Sequence, residues 1–272
     1  MRIIITILII SFCGFSCKNQ TKENTASHEM LNSVLWMQTA AEYKALCLQA
    51  FNTAKTMLDI ALKDKNWTAA TEQLAAYQNL PPAVVLDIDE TVLDNSAYEA
   101  GLIIDNTDYI SASWTKWCEE RRAGSITGAV DFCKFAAARN VQIIYITNRK
   151  QIEYNATRDN LLNEGFPEPI DDTTLLMRTG SSNKTDRRKT VSEKYRILLL
   201  IGDNAGDFLG GFTGASLSYR DTLAIAHESK WGTQWIILPN PVYGDWEGAL
   251  FDYRYELNKS QKISEKYKRL RL

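Results

Sequence analysis

The chain has 272 residues, 45% of them hydrophobic and 24% charged, which is the balance of a globular protein and excludes a disordered or fibrous one. A formal net charge of -2 gives no electrostatic footprint for a nucleic-acid polymer. Seven tryptophans and twelve tyrosines point to aromatic-lined surfaces, with packing accounting for most of them.

The first residues read as a targeting segment outside the fold. Met1-Arg2 is a short positive start, and Ile3 to Phe12 is an apolar run too short to span a bilayer as a stable helix. Gly14-Phe15-Ser16-Cys17 then resembles the lipobox of bacterial lipoproteins, although an aliphatic residue is usual where Gly14 stands. On that reading residues 1–17 are a lipoprotein signal and Cys17 is lipidated. The acyl chains would anchor the exported protein in the bacterial cell envelope, at the outer membrane, without spanning it. The other reading is an ordinary secretory signal cleaved nearby. Residues 18–27 are polar and read as a tether. With Cys17 lipidated, Cys47, Cys118 and Cys133 remain, an odd number. Cys118 with Cys133 is a candidate bridge in an oxidising compartment, and buried free thiols are the alternative.

From His28 to Lys63 apolar residues keep a helical stripe without Gly or Pro, which predicts one long helix or two. A short helix is predicted over Thr68 to Gln78. Together these make residues 28–80 a helical flank. Pro81-Pro82 then introduce a buried strand, Ala83 to Leu86, apolar on both faces. Leu93 to Ile110 is irregular. Helices follow over Tyr109 to Arg122 and Gly128 to Asn140, then a strand over Val141 to Ile146. A helix over Gln151 to Glu164 closes on Gly165. A short strand, Thr174 to Met177, precedes a polar loop and a helix over Asn183 to Lys194. Strands over Arg196 to Ile201 and Gln234 to Leu238 complete a core over residues 81–256, and 257–272 form a charged tail, helical or frayed. Alternating strands and helices of these lengths predict an α/β fold, a doubly wound parallel sheet with helices on both faces.

In such a sheet ligands sit beyond the carboxyl ends of the strands. The residues collected there are Asp87, Asp89, Thr91, Thr147, Asn148, Asp203 and Asp207, with Lys184 from a loop. Four carboxylates in one place repel one another and raise their pKa values unless a cation offsets them. Oxygen ligands without nearby His or Cys favour Mg²⁺ over zinc. A cation together with Lys184 attracts an anion, with phosphate foremost, and the Thr147 hydroxyl can hydrogen-bond the oxygens of a transferring phosphoryl group.

Asp87-Ile88-Asp89-Glu90-Thr91, Ile146-Thr147-Asn148-Arg149, Lys184 and Gly202-Asp203-Asn204-Ala205-Gly206-Asp207 resemble the four ordered motifs of the haloacid dehalogenase superfamily. More narrowly, the chain resembles the class C bacterial acid phosphatases of the lipoprotein e type. Trp36-Met37-Gln38, Trp114-Thr115-Lys116-Trp117, Ser182-Asn183-Lys184 and Leu238 to Gly248 carry that likeness. The resemblance implies a small cap on a Rossmann-like core, an acid phosphatase activity and Mg²⁺ as cofactor. It makes Asp87 the nucleophile that forms an aspartyl-phosphate, and Asp89 the acid and base. It gives the metal to Asp87, Asp203, the backbone carbonyl of Asp89 and Asp207. Thr147 and Lys184 would hold the phosphoryl group, with Asn148 beside them. Trp114 and Tyr243 match aromatic positions that sandwich a nucleobase, which implies nucleoside 5′-monophosphates as substrates and possession of a 5′-nucleotidase activity. Relatives of this type imply a homodimer. Dehalogenases have no leaving alkoxide to protonate and lack an acid at the position of Asp89, which argues for a phosphatase. The competing reading is a surface lipoprotein of the same fold whose main work is to bind a ligand or partner, with little or no catalysis.

Overall fold

Ala83 to Leu86 are all buried, so both faces of this strand must be covered. The computed structural model, which describes residues 28–74 and 76–272, shows how. Val84 and Leu86 point into a cluster with Cys47, Phe51, Leu58, Phe132 and Cys133. Ala83 and Val85 point the other way, into a cluster with Ala69, Ala70, Val191, Phe208 and Trp235. The period of two along the strand thus sends alternate side chains into two helical layers. Each large apolar side chain buried this way stabilises the fold by about 1.5–3 kcal/mol.

The elements in order are α1 (Leu31–Thr39), α2 (Ala41–Ala61), β1 (Pro82–Leu86), β2 (Leu93–Asp94), α3 (Ser96–Asp105), α4 (Ser111–Glu120) and β3 (Gly124–Ser125). There follow α5 (Ala129–Ala137), β4 (Gln142–Lys150), α6 (Tyr154–Asn163), β5 (Leu175–Arg178), α7 (Thr185–Ser192) and β6 (Arg196–Gly202). The chain closes with α8 (Leu217–Ala226), β7 (Trp235–Ile237), α9 (Asp245–Leu250) and α10 (Lys259–Lys268). The main sheet is parallel, in the order β5-β4-β1-β6-β7. It is the α/β, doubly wound sheet that the sequence predicts. β1 lies between β4 and β6, so the strand order reverses around it and the crevice opens at its carboxyl end. β2 and β3 pair antiparallel and frame a small cap made of α3 and α4.

Several elements differ from the sequence reading. Of the two readings of residues 28–63, two helices form, because Ala40 is extended at ψ 131°. Among the described residues, the helix expected over Thr68 to Gln78 does not form. Its polar groups are drawn into tertiary hydrogen bonds instead. Ala69 N–H donates to the Ile197 carbonyl at 2.8 Å, and Gln73 Nε2 donates to the Ser192 and Tyr195 carbonyls at 2.8 and 2.7 Å. The segment is a strap beside β6. The stretch read as irregular after Leu93 contains α3, which ends where Asn106 turns left-handed at φ 50°. α8 and α9 were not anticipated, and β4 runs on to Lys150, past its expected end at Ile146. The candidate bridge between Cys118 and Cys133 is not made: both are buried free thiols, Cys118 on α4 and Cys133 on α5, where it accepts from Tyr145. The charged tail is the helix α10, started by a reciprocal cap between Asn258 and Gln261 and tied down by Lys266 to Glu29 and Glu247. The signal, Cys17 and the tether lie outside the described residues. Among the described residues no helix is long and apolar enough to cross a membrane.

Candidate active site

Asp87 follows the last residue of β1, and its own N–H donates to the Ile201 carbonyl of β6 at 2.9 Å. This bond keeps the strand-to-loop exit in register with β6, whose continuation carries Asp203. One carboxylate oxygen each from Asp87, Asp203 and Asp207 lie within 4.8 Å of one another. Lys184, only 4% exposed, stands at the N-terminus of α7 and pairs with both Asp87 and Asp207. Asp203 is held through both oxygens: Asn240 Nδ2 donates to Oδ2 at 2.9 Å and Thr91 Oγ1 to Oδ1 at 3.1 Å. Burial pushes the Asp203 carboxyl well above the ordinary carboxylate range, and Asp207 adds to the push. Burial likewise raises Asp87; Lys184 opposes this, while Asp207, Asp203 and Asp89 reinforce it. Two carboxylates therefore share one ammonium, and the third, Asp203, is held by neutral donors alone. Gly202 makes the cluster possible, since a Cβ there would stand 2.6 Å from the Cβ of Asp207.

Asp89 is turned away from this cluster. Its Oδ1 accepts from Arg149 Nε at 2.9 Å and Asn95 Nδ2 at 3.0 Å, and Arg149 Nη2 stands in ion-pair contact at 2.8 Å. Its side chain therefore takes no part in the carboxylate triad, and any share of a metal falls to its backbone. Next to it, Glu90 adopts a left-handed φ of 57°, which turns the chain back so that Thr91 reaches Asp203. The Glu90 carboxyl is buried and accepts from the Asn95 N–H at 2.8 Å and from the Tyr243 hydroxyl. Burial pushes it well above the usual range, with Asp89 the next cause.

Thr147 is fully buried within β4, and its Oγ1 accepts from the Arg149 N–H at 3.0 Å. Asn148 is exposed, and its Oδ1 accepts from Arg187 Nη2 at 2.7 Å. Arg187 also donates to the Thr147 carbonyl. Sequence reasoning passed over Arg187, although its spacing of three from Lys184 puts both on one face of α7. It also passed over Asn95, Asn240 and Arg188, each of which bonds a partner far along the chain: Arg149, Asp203 and Glu72.

The two expected stacking rings differ in availability. Tyr243 is half-buried and is tethered by its hydroxyl to Glu90. Trp114 is 9% exposed, packs edge-on against Tyr98 at 5.1 Å and has the Arg149 guanidinium 5.5 Å from its ring centre. Tyr109, whose ring lies 6.2 Å from Trp114, is 56% exposed. Three further tryptophans hold structure: Trp67 donates to the Leu198 carbonyl, Trp231 to Ala224 and Trp235 to Ala69.

The order of these groups along the sheet matches a known family. A model of the HAD superfamily, subfamily IIIB (acid phosphatase), aligns with residues 14–246. The chain belongs to that subfamily. Its fold is close to that of the class C acid phosphatase from Bacillus anthracis, with 37% identity and a TM-score of 0.81 over 89% of this chain and 97% of the other. The same Bacillus anthracis enzyme with tungstate bound matches at 36% identity and a TM-score of 0.81. Among curated proteins, acid phosphatase 1 of Solanum lycopersicum is 26% identical over 167 residues, and the stem 28 kDa glycoprotein of Glycine max is 24% identical over 167 residues. Those matches span 57% and 58% of the two plant proteins' own lengths. The subfamily is that of the acid phosphatases, and the haloacid dehalogenase-like, class C resemblance read from the motifs is borne out at the level of family and fold.

Proposed function

We propose that this chain is a Mg²⁺-dependent acid phosphatase that hydrolyses phosphomonoesters through an aspartyl-phosphate on Asp87, with nucleoside 5′-monophosphates as preferred substrates. The observation that carries the reading is the Asp87–Lys184–Asp207–Asp203 cluster at the carboxyl end of β1. It joins a carboxylate nucleophile, an ammonium and surplus acidic oxygens in one buried place. The donor set is all oxygen and carries more negative charge than Lys184 offsets, which suits a small hard dication. Asp87, Asp203 and the Asp89 carbonyl would hold Mg²⁺, with Asp207 beside or behind it. Bound there, the ion would draw charge from the phosphoryl oxygens.

The chain's own residues supply the rest. An Asp87 oxygen attacks phosphorus, and the bond from phosphorus to the ester oxygen breaks. Asp89 gives its proton to the leaving alkoxide. Water then attacks the phosphorus of the aspartyl-phosphate, Asp89 takes the water's proton, and Asp87 and inorganic phosphate separate. Lys184 and the Thr147 hydroxyl hold phosphoryl oxygens through both steps, with Asn148 and Arg187 at the outer side. Tungstate, bound by the Bacillus anthracis relative, is a tetrahedral oxyanion like phosphate, which supports an oxyanion site here. The open ring of Tyr109 at the cap and the half-buried ring of Tyr243 support a stacked base, worth about 1–3 kcal/mol per base. We read residues 1–17 as the signal and Cys17 as the lipid anchor of an exported envelope protein, from the sequence pattern alone.

The test is phosphate release by protein lacking residues 1–17, on 5′-nucleotides, 3′-nucleotides, sugar phosphates and an aryl phosphate, each with Mg²⁺ and with EDTA. Metal-dependent release, fastest on 5′-nucleotides and abolished in Asp87→Asn, is the expected result. Release from the aryl phosphate alone would keep the mechanism and discard the stacked base. No release on any substrate would put a binding role in place of catalysis.

A further inference from the structure

We infer that Arg149 and Asn95 are positioning residues that fix which oxygen of Asp89 meets the leaving group. The inference rests on the acid role proposed for Asp89. Two hydrogen bonds converge on Asp89 Oδ1, from Arg149 Nε and Asn95 Nδ2, with Arg149 Nη2 in ion-pair contact at 2.8 Å, and no donor among the described residues reaches Oδ2. The side chain keeps 17% exposure, on a residue flanked by buried Ile88 and Glu90. With Oδ1 saturated, Oδ2 is the oxygen left to exchange a proton with a ligand.

The clamp is itself rigid. Arg149 is 1% exposed, and both of its terminal nitrogens are held: Nη1 donates to Thr157 Oγ1 at 3.1 Å and Nη2 to Asn95 Oδ1 at 3.3 Å. Asn95 is fully buried, and its Oδ1 also accepts from Trp117 Nε1 at 2.8 Å. Its N–H and Nδ2 are spent on Glu90 and Asp89. The pair therefore joins β4, the loop after β1 and the cap helix α4 around one carboxylate oxygen. A charged fork buried this completely is costly unless it is paired, and the pairing chosen fixes the geometry of Asp89. Placement of a catalytic group within a fraction of an ångström governs proton transfer.

Leaving-group dependence separates this role from a structural one. An alkoxide leaves only if it is protonated as the bond to phosphorus breaks, whereas a nitrophenolate leaves without help. The ratio kcat/KM contains the steps through leaving-group departure and excludes the later attack of water. The experiment measures kcat/KM for an alkyl phosphate and for 4-nitrophenyl phosphate in the full-length wild type, Arg149→Lys, Asn95→Ser and Asp89→Asn, each checked for folding by its thermal melt. Arg149→Lys keeps the buried charge and is the variant least prone to misfold. Loss of a positioned acid removes part of a contribution of about 10²–10⁴-fold. The expected result is a fall of about tenfold or more in the alkyl-to-aryl ratio for Arg149→Lys and Asn95→Ser, in the same direction as Asp89→Asn. An unchanged ratio in both clamp variants, with a fall in Asp89→Asn, overturns the inference and leaves the acid role standing. An unchanged ratio in Asp89→Asn overturns the acid role and the inference with it.

Discussion

Arg188 donates from Nε and Nη2 to a single oxygen of Glu72, at 3.0 and 2.7 Å, although the two residues are 116 positions apart. Its Nη1 donates to the carbonyls of Gly206 and Asp207 at 3.3 and 3.0 Å. One fully buried guanidinium thus ties the strap of residues 68–78 to the loop that presents Asp203 and Asp207. Breaking such a pair leaves a buried charge without its partner and costs about 3–5 kcal/mol. Glu72→Ala is therefore expected to lower the unfolding free energy by that amount in urea titrations. Because the same guanidinium holds the acidic loop, Mg²⁺ affinity measured by calorimetry on the folded variant is expected to weaken as well.

Gly202 lies in contact range of Asp207, so a methyl group has no room without moving the acidic loop. Gly202→Ala is expected to lower kcat/KM on any phosphomonoester by about a hundredfold, the scale of a displacement near 1 Å in a reacting group. A variant with wild-type kcat/KM would mean that Asp207 can shift without consequence.

Glu99 on α3 has no acceptor role in the active site, yet it is 6% exposed and faces Glu247. Burial, and secondarily Glu247, push its carboxyl up to about 7. The folded state therefore holds a proton that the unfolded chain, with an ordinary glutamate, releases at lower pH. That contribution to stability is complete below the unfolded pKa and disappears as pH rises through about 7. Glu99→Gln stays neutral throughout. It is expected to match the wild type at pH 4 and to gain about 2–3 kcal/mol relative to it above pH 8. Thermal melts of both proteins across that range check the sign.

Tyr243 and Trp114 make different predictions. Tyr243 presents a half-buried ring from a loop that Trp246 supports, its Nε1 donating to the Tyr243 carbonyl at 3.2 Å. Tyr243→Ala is expected to raise KM for a 5′-nucleotide by about tenfold while leaving KM for a small sugar phosphate nearly unchanged, the scale of one stacked base. Trp114 is covered by Tyr98 and Arg149, so Trp114→Ala is expected to cost about 3–5 kcal/mol of stability as a core truncation. Tyr109→Ala, at the open ring beside it, is the informative partner. A nucleotide-specific rise in KM for Tyr109→Ala, and none for Trp114→Ala on folded protein, would move the stacking role from Trp114 to Tyr109.

Metal binding is expected to be visible without turnover. A ligand bound only by the folded state at a hundredfold above its Kd stabilises by about 2.7 kcal/mol. Saturating Mg²⁺ is expected to raise the melting temperature, and Asp203→Asn to abolish that rise. Because the cation binds deprotonated carboxylates and burial holds Asp203 above the ordinary range, its affinity is expected to fall as pH is lowered.

The sequence by itself determined the parallel α/β sheet and the gathering of Asp87, Lys184, Asp203 and Asp207 at one end of it. The reason is local: apolar runs long enough to be buried strands end in carboxylates, and alternation of strands with helices brings those ends to one edge. It did not determine the path of residues 68–78, because helical propensity there is overridden by Gln73 and Ala69 bonding to groups more than a hundred positions away. Nor could it separate the carboxylates. Asp87 and Asp89, two positions apart, would point the same way on an extended exit, yet Asp87 faces Lys184 and Asp89 faces Arg149. That division depends on where β4 and α7 deliver their cations. The same holds for the rings: the family resemblance points to Trp114, and only the packing of Tyr98 and Arg149 against it decided how little of its surface remains open. Local pattern carries which groups arrive at the site, while long-range partners decide which way each one points.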